Sequence, residues 1–216
     1  MLAALACCAV VELFAASAPA IESFSYRSLS VVFTPQGELT ALAQATFVAP
    51  DKYREDASMS FGNIVTIRNG EASWGANPHG VVELTPDQHR RTVDRLYRNY
   101  VGLLWAVSDG RVEAEDGGDG DVILNVEGLA IRAKFDESNG RLLEIAMPGA
   151  NLAGAPVTER RVFTAFDEET GLPMKVDVLH DDELSAQITI KTWELNVSAP
   201  DEFFARPGEG TGEPQP

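Results

Sequence analysis

Apolar and polar positions follow two different periods along the chain, and each period predicts its own kind of element. From Ser23 onward, short runs in which apolar and polar residues alternate are separated by turn residues, which is typical of antiparallel strands. Asn69-Gly70 between two such runs is a strong hairpin signal, because a type I′ turn needs positive φ at both central residues. The runs predict about ten or eleven strands, with the acidic, glycine-rich stretch 113–121 as a turn.

Between residues 86 and 108 the apolar period changes from two to about 3.6, which predicts one long amphipathic helix. Thr85 is placed to cap its first turn, Pro86 suits its first position, and Gln88 completes a capping box. Its apolar stripe consists of Val93, Leu96, Tyr97, Tyr100, Val101, Leu104 and Val107. Many strands with one such helix predict an α+β fold, in which a curved antiparallel sheet folds around the helix.

The apolar segment at residues 2–20 admits more than one interpretation. Its apolar run ends in small residues at positions 18–20, which resembles the cleavage site of a secretory signal peptide. Two features oppose that interpretation, since Glu12 lies inside the apolar run and no Lys or Arg precedes Arg27. A signal peptide normally carries a positive charge before its apolar region.

The second interpretation of this segment is a helix that belongs to the domain. Its apolar face would then consist of Val10, Leu13, Phe14 and Ile21. A third interpretation is a lipoprotein leader ending at Cys7 or Cys8, although the apolar stretch before either cysteine is short. The glutamate inside the run favours the helix. The predicted organisation is a helix or signal-like segment at residues 1–22, a domain at residues 23–207 and a disordered tail at residues 208–216.

Size and charge exclude several classes of protein. At 216 residues the chain has the length of one large domain, which can bury a full core without disulfides or a structural metal. Its formal net charge of −16 repels phosphate backbones and anionic membrane surfaces, so we expect no nucleic-acid partner. Beyond the first twenty residues, no apolar run reaches the length of about 18 residues that spans a bilayer. The only cysteines, Cys7 and Cys8, are adjacent and provide no disulfide framework.

Residues that commonly carry chemistry are present, but not in catalytic or metal-binding spacing. His79, His89 and His180 lack the spacing of the zinc-hydrolase motifs, and the sequence contains no nucleophile elbow or phosphate loop. Asp116, Asp119 and Asp121 could offer oxygen ligands to calcium, but the same residues suit a solvated turn, which is the favoured interpretation. We therefore expect no cofactor, no metal site and no catalytic residues.

Several short segments, taken in order, resemble a known family. They are residues 34–39, 49–54 (Ala-Pro-Asp-Lys-Tyr-Arg), 68–75, the Thr85-Pro86 helix start, 135–142, 171–175, Trp193-Glu194-Leu195-Asn196 and Phe203-Phe204. Their order is similar to that of the LolA-like outer-membrane lipoprotein-sorting superfamily, which includes LppX-like lipid carriers, in the version found alone or appended to pitrilysin-type peptidases. The resemblance covers about residues 23–207. It implies an incomplete β-barrel whose apolar concave face is covered by helices and can hold acyl chains.

The resemblance and the helix stripe together predict a monomeric, non-enzymatic, extracytoplasmic protein of the bacterial envelope, such as a periplasmic carrier. Its ligand would be a lipid or the acyl chains of a lipoprotein. The side chains expected to line the ligand site are Phe47, Met59, Trp74, Leu96, Tyr100, Leu104 and Trp193. The alternative is an accessory domain that binds an envelope protein or a separately encoded pitrilysin-type peptidase. An apolar cavity between helix and sheet favours the carrier, and tight packing favours the accessory domain.

Overall fold

The computed structural model describes residues 2–16, 20–151 and 153–208, and of residues 2–8 it describes the backbone alone. The α-helices in this part of the chain are α1 (Leu2–Ala16), α2 (Pro86–Tyr97) and α3 (Tyr100–Ser108). The strands are β1 (Ser23–Thr34), β2 (Gly37–Val48), β3 (Lys52–Met59), β4 (Gly62–Asn69), β5 (Ala72–Asn77), β6 (Gly80–Glu83), β7 (Val112–Gly118), β8 (Asp121–Val126), β9 (Leu129–Asp136), β10 (Arg141–Ala150), β11 (Pro156–Phe166), β12 (Pro173–His180) and β13 (Glu183–Leu195). A short 3₁₀ helix, Asp201–Phe204, follows the last strand.

All thirteen described strands belong to one antiparallel sheet, in the order β6-β5-β4-β3-β2-β1-β13-β12-β11-β10-β9-β8-β7. Neighbours in the sheet are consecutive in sequence except in the middle, where β1 pairs with β13 and Tyr26 lies opposite Trp193. The sheet is curved and open, and β6 and β7 form its two edges. The predicted α+β class with a strongly curved antiparallel sheet is confirmed.

The strand count is higher than predicted, and β7 contributes to the difference. The acidic stretch that was expected to form a turn instead contains this strand, which pairs with β8 from Val112 to Gly118. Val112 and Ala114 pack against the core, whereas Glu113 and Glu115 are exposed. An edge strand keeps its carboxylates in water while its backbone pairs on one side, so acidic residues are tolerated there.

The hairpin predicted around Asn69-Gly70 joins β4 to β5, but its loop is shifted by one residue. Asn69 pairs with Ala72, so the two-residue loop is Gly70-Glu71. Gly70 has a φ of +61°, whereas Asn69 keeps a negative φ as the last residue of β4. Glycine at the first central position is what a type II′ turn requires.

The predicted long helix is two helices, α2 and α3, and the break lies at Asn99. The side-chain oxygen of Asn99 accepts hydrogen bonds from the backbone N–H groups of Val101 (2.9 Å) and Gly102 (3.2 Å), which caps α3. A Cβ atom at Gly102 would overlap the carbonyl oxygen of Leu96, so the close approach of the two helices requires glycine here. The capping box predicted at the start of α2 is confirmed.

The helices cover one face of the sheet because the chain crosses that face between β6 and β7. These strands are the opposite edges of the sheet, and α2 with α3 is the connection between them. The residues of α3 from Tyr100 to Ala106 are buried. The side chains that β8, β9 and β10 contribute to the same core are Val122, Leu124, Val126, Leu129, Ile131, Ala133, Phe135, Leu142, Ile145 and Met147. We call the part of the concave face formed by β8, β9 and β10, which α3 covers, the packed half.

Helix α1 packs against this half, in contact with α3, β7 and β10. Phe14 is fully buried, and its ring centre lies 5.5 Å from that of Tyr100 and 5.4 Å from that of Phe135. Leu13, which the domain-helix interpretation also expects in the core, is 47% exposed. A Cβ atom at Gly140 would lie 2.9 Å from the backbone nitrogen of Phe14, so glycine permits this contact. In the described part of the chain, no helix has the length and apolarity needed to cross a membrane.

Candidate functional site

A cavity of about 280 Å³ lies between the sheet and the junction of α2 with α3. The helix junction lines it with Arg95, Arg98, Asn99 and Tyr100. The strand residues that line it are Tyr26, Ser28, Ser30, Val32, Ala41, Ala43, Glu55, Ala57, Met59, Arg161, Phe163, Pro173, Val176, Ile188, Ile190 and Trp193. These residues come from β1, β2, β3, β11, β12 and β13, which we call the open half of the concave face.

Small side chains create the space on the wall formed by β1, β2 and β3. The strand register places Ser28, Ala43 and Ala57 in one cross-strand row, and all three line the cavity. The next row consists of Ser30, Ala41 and Met59. Because the members of a row lie side by side on one face, a row of Ser and Ala leaves room that larger side chains would fill.

Large aromatic side chains fill the face of the sheet beyond the cavity, at the end where β1 begins. Phe24, Phe47 and Tyr53 form a cross-strand row, and all three side chains are buried. The ring centre of Phe47 lies 4.7 Å from that of Trp105 on α3. Between this aromatic row and the Ser28 row lies a row that contributes Tyr26 and Glu55 to the cavity lining.

The second wall, formed by β11, β12 and β13, is mainly apolar. Its aliphatic members are Val176, Ile188 and Ile190. The ring centre of Phe163 lies 5.2 Å from that of Tyr100, which joins this wall to the start of α3. The indole N–H of Trp193 donates a hydrogen bond of 2.9 Å to the Pro173 carbonyl oxygen. That bond fixes the orientation of the indole ring at the cavity wall.

Polar groups are concentrated where the helices meet the cavity. The Glu55 carboxylate accepts a hydrogen bond from Arg95 Nη1 (2.7 Å) and another from the Tyr53 hydroxyl (2.7 Å). Burial, with the nearby charge of Glu55, raises the pKa of Tyr26 to about 12 and the pKa of Tyr53 well above its ordinary value. Both hydroxyl groups are therefore protonated and neutral at physiological pH.

Arg98 and Arg161 share one carboxylate, that of Glu159. Arg98 Nη1 lies 2.6 Å from Glu159 Oε2, and Arg161 Nε lies 2.7 Å from Glu159 Oε1. Burial alone would raise the pKa of Glu159, but the two guanidinium groups outweigh burial and hold the pKa below its ordinary value. Arg98 also donates to the Pro148 carbonyl oxygen (3.0 Å), and Arg161 donates to the Arg98 carbonyl oxygen (3.2 Å). His180 Nε2 lies 3.9 Å from Glu159 Oε2.

The seven side chains predicted to line the ligand site lie in three different surroundings. Those that line the cavity are Met59, Tyr100 and Trp193. Those that lie in the hydrophobic core are Phe47, Leu96 and Leu104. Trp74 is half-buried on β5 and is not part of the cavity lining. The apolar period identifies the face on which a side chain lies, but not whether that face meets other side chains or a space.

The residues that create the space and its polar end were missed. The small side chains at positions 28, 43 and 57, and the charged side chains at positions 55, 98 and 161, were not among the predicted site residues. The available signal was the repeated use of Ser and Ala at alternate positions of otherwise apolar strands. Small side chains at the inward positions of a strand leave volume beside it that is not filled by the strand itself.

The histidines and the acidic stretch lie outside the cavity lining. His89 Nδ1 is 2.8 Å from the hydroxyl oxygen of Ser73, which is itself only 2% exposed. Asp121 forms an ion pair with Arg132 at 2.9 Å. Among the residues that the structure describes, no group of three or more His, Cys, Asp or Glu side chains could hold a metal ion.

Comparison with known proteins finds similarity in structure alone. No family model matches the sequence, and no curated protein matches it. The structure is similar to an outer membrane lipoprotein-sorting protein domain from Vibrio parahaemolyticus, with a TM-score of 0.55, 9% identity and coverage of 91% of this chain and 94% of that chain. It is also similar to a LolA superfamily protein from Nitrosomonas europaea, with a TM-score of 0.59, 12% identity and coverage of 93% and 97%.

A third solved structure with the same fold is a DUF1329 family protein from Desulfovibrio piger. The TM-score is 0.53 at 11% identity, and the alignment covers 92% of this chain and 97% of that chain. At such identities the likeness concerns the fold. The chain has a LolA-like fold, as its short sequence motifs predicted.

Proposed function

We propose that this protein is a non-enzymatic, extracytoplasmic binding protein that holds a lipid, or acyl chains of a lipoprotein, between its sheet and its helices. The observation that carries the proposal is the cavity, which remains beside the buried hydrophobic core and has mainly apolar walls. The names of two structural neighbours, which refer to lipoprotein sorting and to LolA, support the same ligand class and compartment.

The cavity suits an acyl chain in size and in chemistry. Its volume corresponds to about nine groups of methylene size, at roughly the 30 Å³ that a water molecule occupies in the liquid. Removal of that many methylenes from water contributes up to about 7 kcal/mol, at ~0.8 kcal/mol each, before the cost of ordering the ligand is subtracted, so micromolar affinity is the upper limit from this term alone. Apolar burial needs no directional contacts, so the walls accept chains of varied structure.

The chemistry of the lining favours binding over catalysis. The lining residues include no histidine or cysteine, and the hydrogen-bonded pair of Ser73 and His89 lies elsewhere. Burial raises the pKa of Tyr26 and of Tyr100 to about 12, so neither hydroxyl is an available nucleophile near neutral pH. The accessory alternative receives no specific support, because tight packing was its distinguishing expectation and a cavity remains.

Binding of a fluorescent fatty-acid analogue to the purified full-length protein, combined with mass spectrometry of co-purified lipids, tests this function. Ala43→Leu places a larger side chain in the middle of the Ser28–Ala43–Ala57 row, and we expect about a tenfold loss of affinity. The matched control is Ala130→Leu, because Ala130 is exposed on β9 and outside the cavity lining. Absence of saturable binding and of co-purified lipid would refute the proposed function.

A further inference from the structure

The charge on the cavity wall is opposite in sign to the charge of the chain. The chain carries a formal net charge of −16, whereas the lining contains three arginines and a single carboxylate, that of Glu55. Arg95 and Glu55 form an ion pair at 2.7 Å, so their charges balance each other. Arg98 and Arg161 are the cations that remain on the lining.

Arg98 and Arg161 have one carboxylate between them, and it does not line the cavity. The side chain of Glu159 is only 8% exposed, contacts both guanidinium groups and is not among the lining residues. Two positive charges against one negative charge leave an excess of one positive charge. His180 beside Glu159 brings no negative charge, so the excess is not removed from that side.

The two guanidinium groups also have hydrogen-bonding capacity left for a ligand. A guanidinium carries five N–H donors, and the described hydrogen bonds use two on Arg98 and two on Arg161. Its planar fork binds a carboxylate or a phosphate through parallel hydrogen bonds. Asn99 and Tyr100, at the N-terminal end of α3, line the same cavity, and the helix dipole adds partial positive charge there.

We propose that the cavity selects single-chain amphiphiles with an anionic head group, a carboxylate or a phosphate, which binds at Arg98 and Arg161. The acyl chain then lies along the Ser28–Ala43–Ala57 row. This inference rests on the proposed function and specifies its ligand class. A bound anion, together with Glu159, balances the two guanidinium charges, and charges removed from water need such pairing. The volume suits one chain of about nine methylene-sized groups and is too small for several.

Calorimetric titration of the full-length protein with probes that carry a ten-carbon chain tests the head-group preference. The probes are decanoate, decyl phosphate, decanol and decyltrimethylammonium. Because their chains are nearly identical, differences in affinity report the head group. We expect both anions to bind about tenfold or more tightly than decanol, and the cation to bind more weakly than decanol. The tighter anion identifies the head group as a carboxylate or a phosphate.

Variants of Arg161 assign the preference to the two arginines. In Arg161→Gln we expect the preference for decanoate over decanol to fall by about tenfold, while an unchanged affinity for decanol shows an intact cavity. Arg161→Lys keeps the charge but loses the fork, so we expect an intermediate preference. Arg91→Gln makes the same charge change at an exposed position of α2 outside the lining, and it should keep the full preference.

The outcomes separate this inference from the proposed function. Equal affinity of the unmodified protein for decanoate and decanol would overturn the anionic head group and leave the proposed function intact. No binding of any probe would overturn both. An undiminished preference in Arg161→Gln would overturn the assignment to Arg98 and Arg161. If Arg161→Gln does not fold, the probe series on the unmodified protein and the Arg161→Lys variant decide.

Discussion

The packed half and the open half of the concave face follow the same alternation of inward and outward side chains, yet only the packed half is filled by side chains. In the packed half the inward positions carry large apolar residues such as Leu124 and Ile131, and α3 fills the face against them. In the open half, equivalent positions carry residues such as Ser28 and Ala43, and a cavity of about 280 Å³ remains. Side-chain size, rather than the hydrophobic pattern, decides whether a covered sheet becomes core or binding site.

The two halves also differ in what the helices present to them. Over the packed half, α3 is buried and apolar along most of its length. Over the open half, the end of α2 and the residue that follows it present Arg95 and Arg98. Charged side chains cannot face a dry core without partners, because the loss of hydration is costly. Arg95 pairs with Glu55 and Arg98 pairs with Glu159, and these ion pairs offset that cost at the wall of the cavity.

Removal of α1 is expected to have the largest effect, and it falls on the packed half. A chain that begins at Ser23 loses Phe14 and Ile21, two buried apolar side chains worth about 1.5–3 kcal/mol each. We expect chemical denaturation to show a free energy of unfolding lower by about 3–6 kcal/mol. Coinciding midpoints for the long and short chains would favour the signal-peptide interpretation, since a cleaved segment contributes no packing.

Truncation of one side chain in each half gives the next largest effect. Leu124→Ala leaves a closed void in the packed half and should lower the free energy of unfolding by about 2–5 kcal/mol. Met59→Ala only enlarges a cavity that already exists beside a half-buried side chain, so we expect a cost near 1 kcal/mol. Denaturant titration of both variants measures the difference. Equal losses would mean that the two halves are packed alike.

The smallest expected effect is a pH dependence that arises in the open half. The pKa of Glu159 is lowered in the folded protein, so its ionised form stabilises the fold above the unfolded pKa of about 4.3. That contribution is lost as the pH falls through the folded pKa. Between about pH 5 and pH 3, the free energy of unfolding should therefore fall more steeply for the unmodified protein than for Glu159→Gln. Parallel pH profiles would contradict this role of the ion cluster.

Local chemistry explains which elements could be predicted from the sequence. The capping box at Thr85 and Gln88, the hairpin between β4 and β5 and the alternating strands all depend on residues close together in the chain. The break at Asn99 was missed, although an asparagine before an apolar run is itself a capping signal. The apolar stripe continues from α2 into α3, so the hydrophobic period alone does not reveal that one helix ends and another begins.

The sequence by itself determined most of the elements, the class of fold and the inward face of the predicted strands, because period, caps and turns act over a few residues. Only the tertiary structure decided where side chains fill the space between that face and the helices, and where a cavity remains. Tyr26 and Trp193, which bound the same cavity, are brought together by the pairing of β1 with β13. The space above the Ser28–Ala43–Ala57 row depends on how far the helices stand from it, and helix position follows from packing on the other half of the sheet.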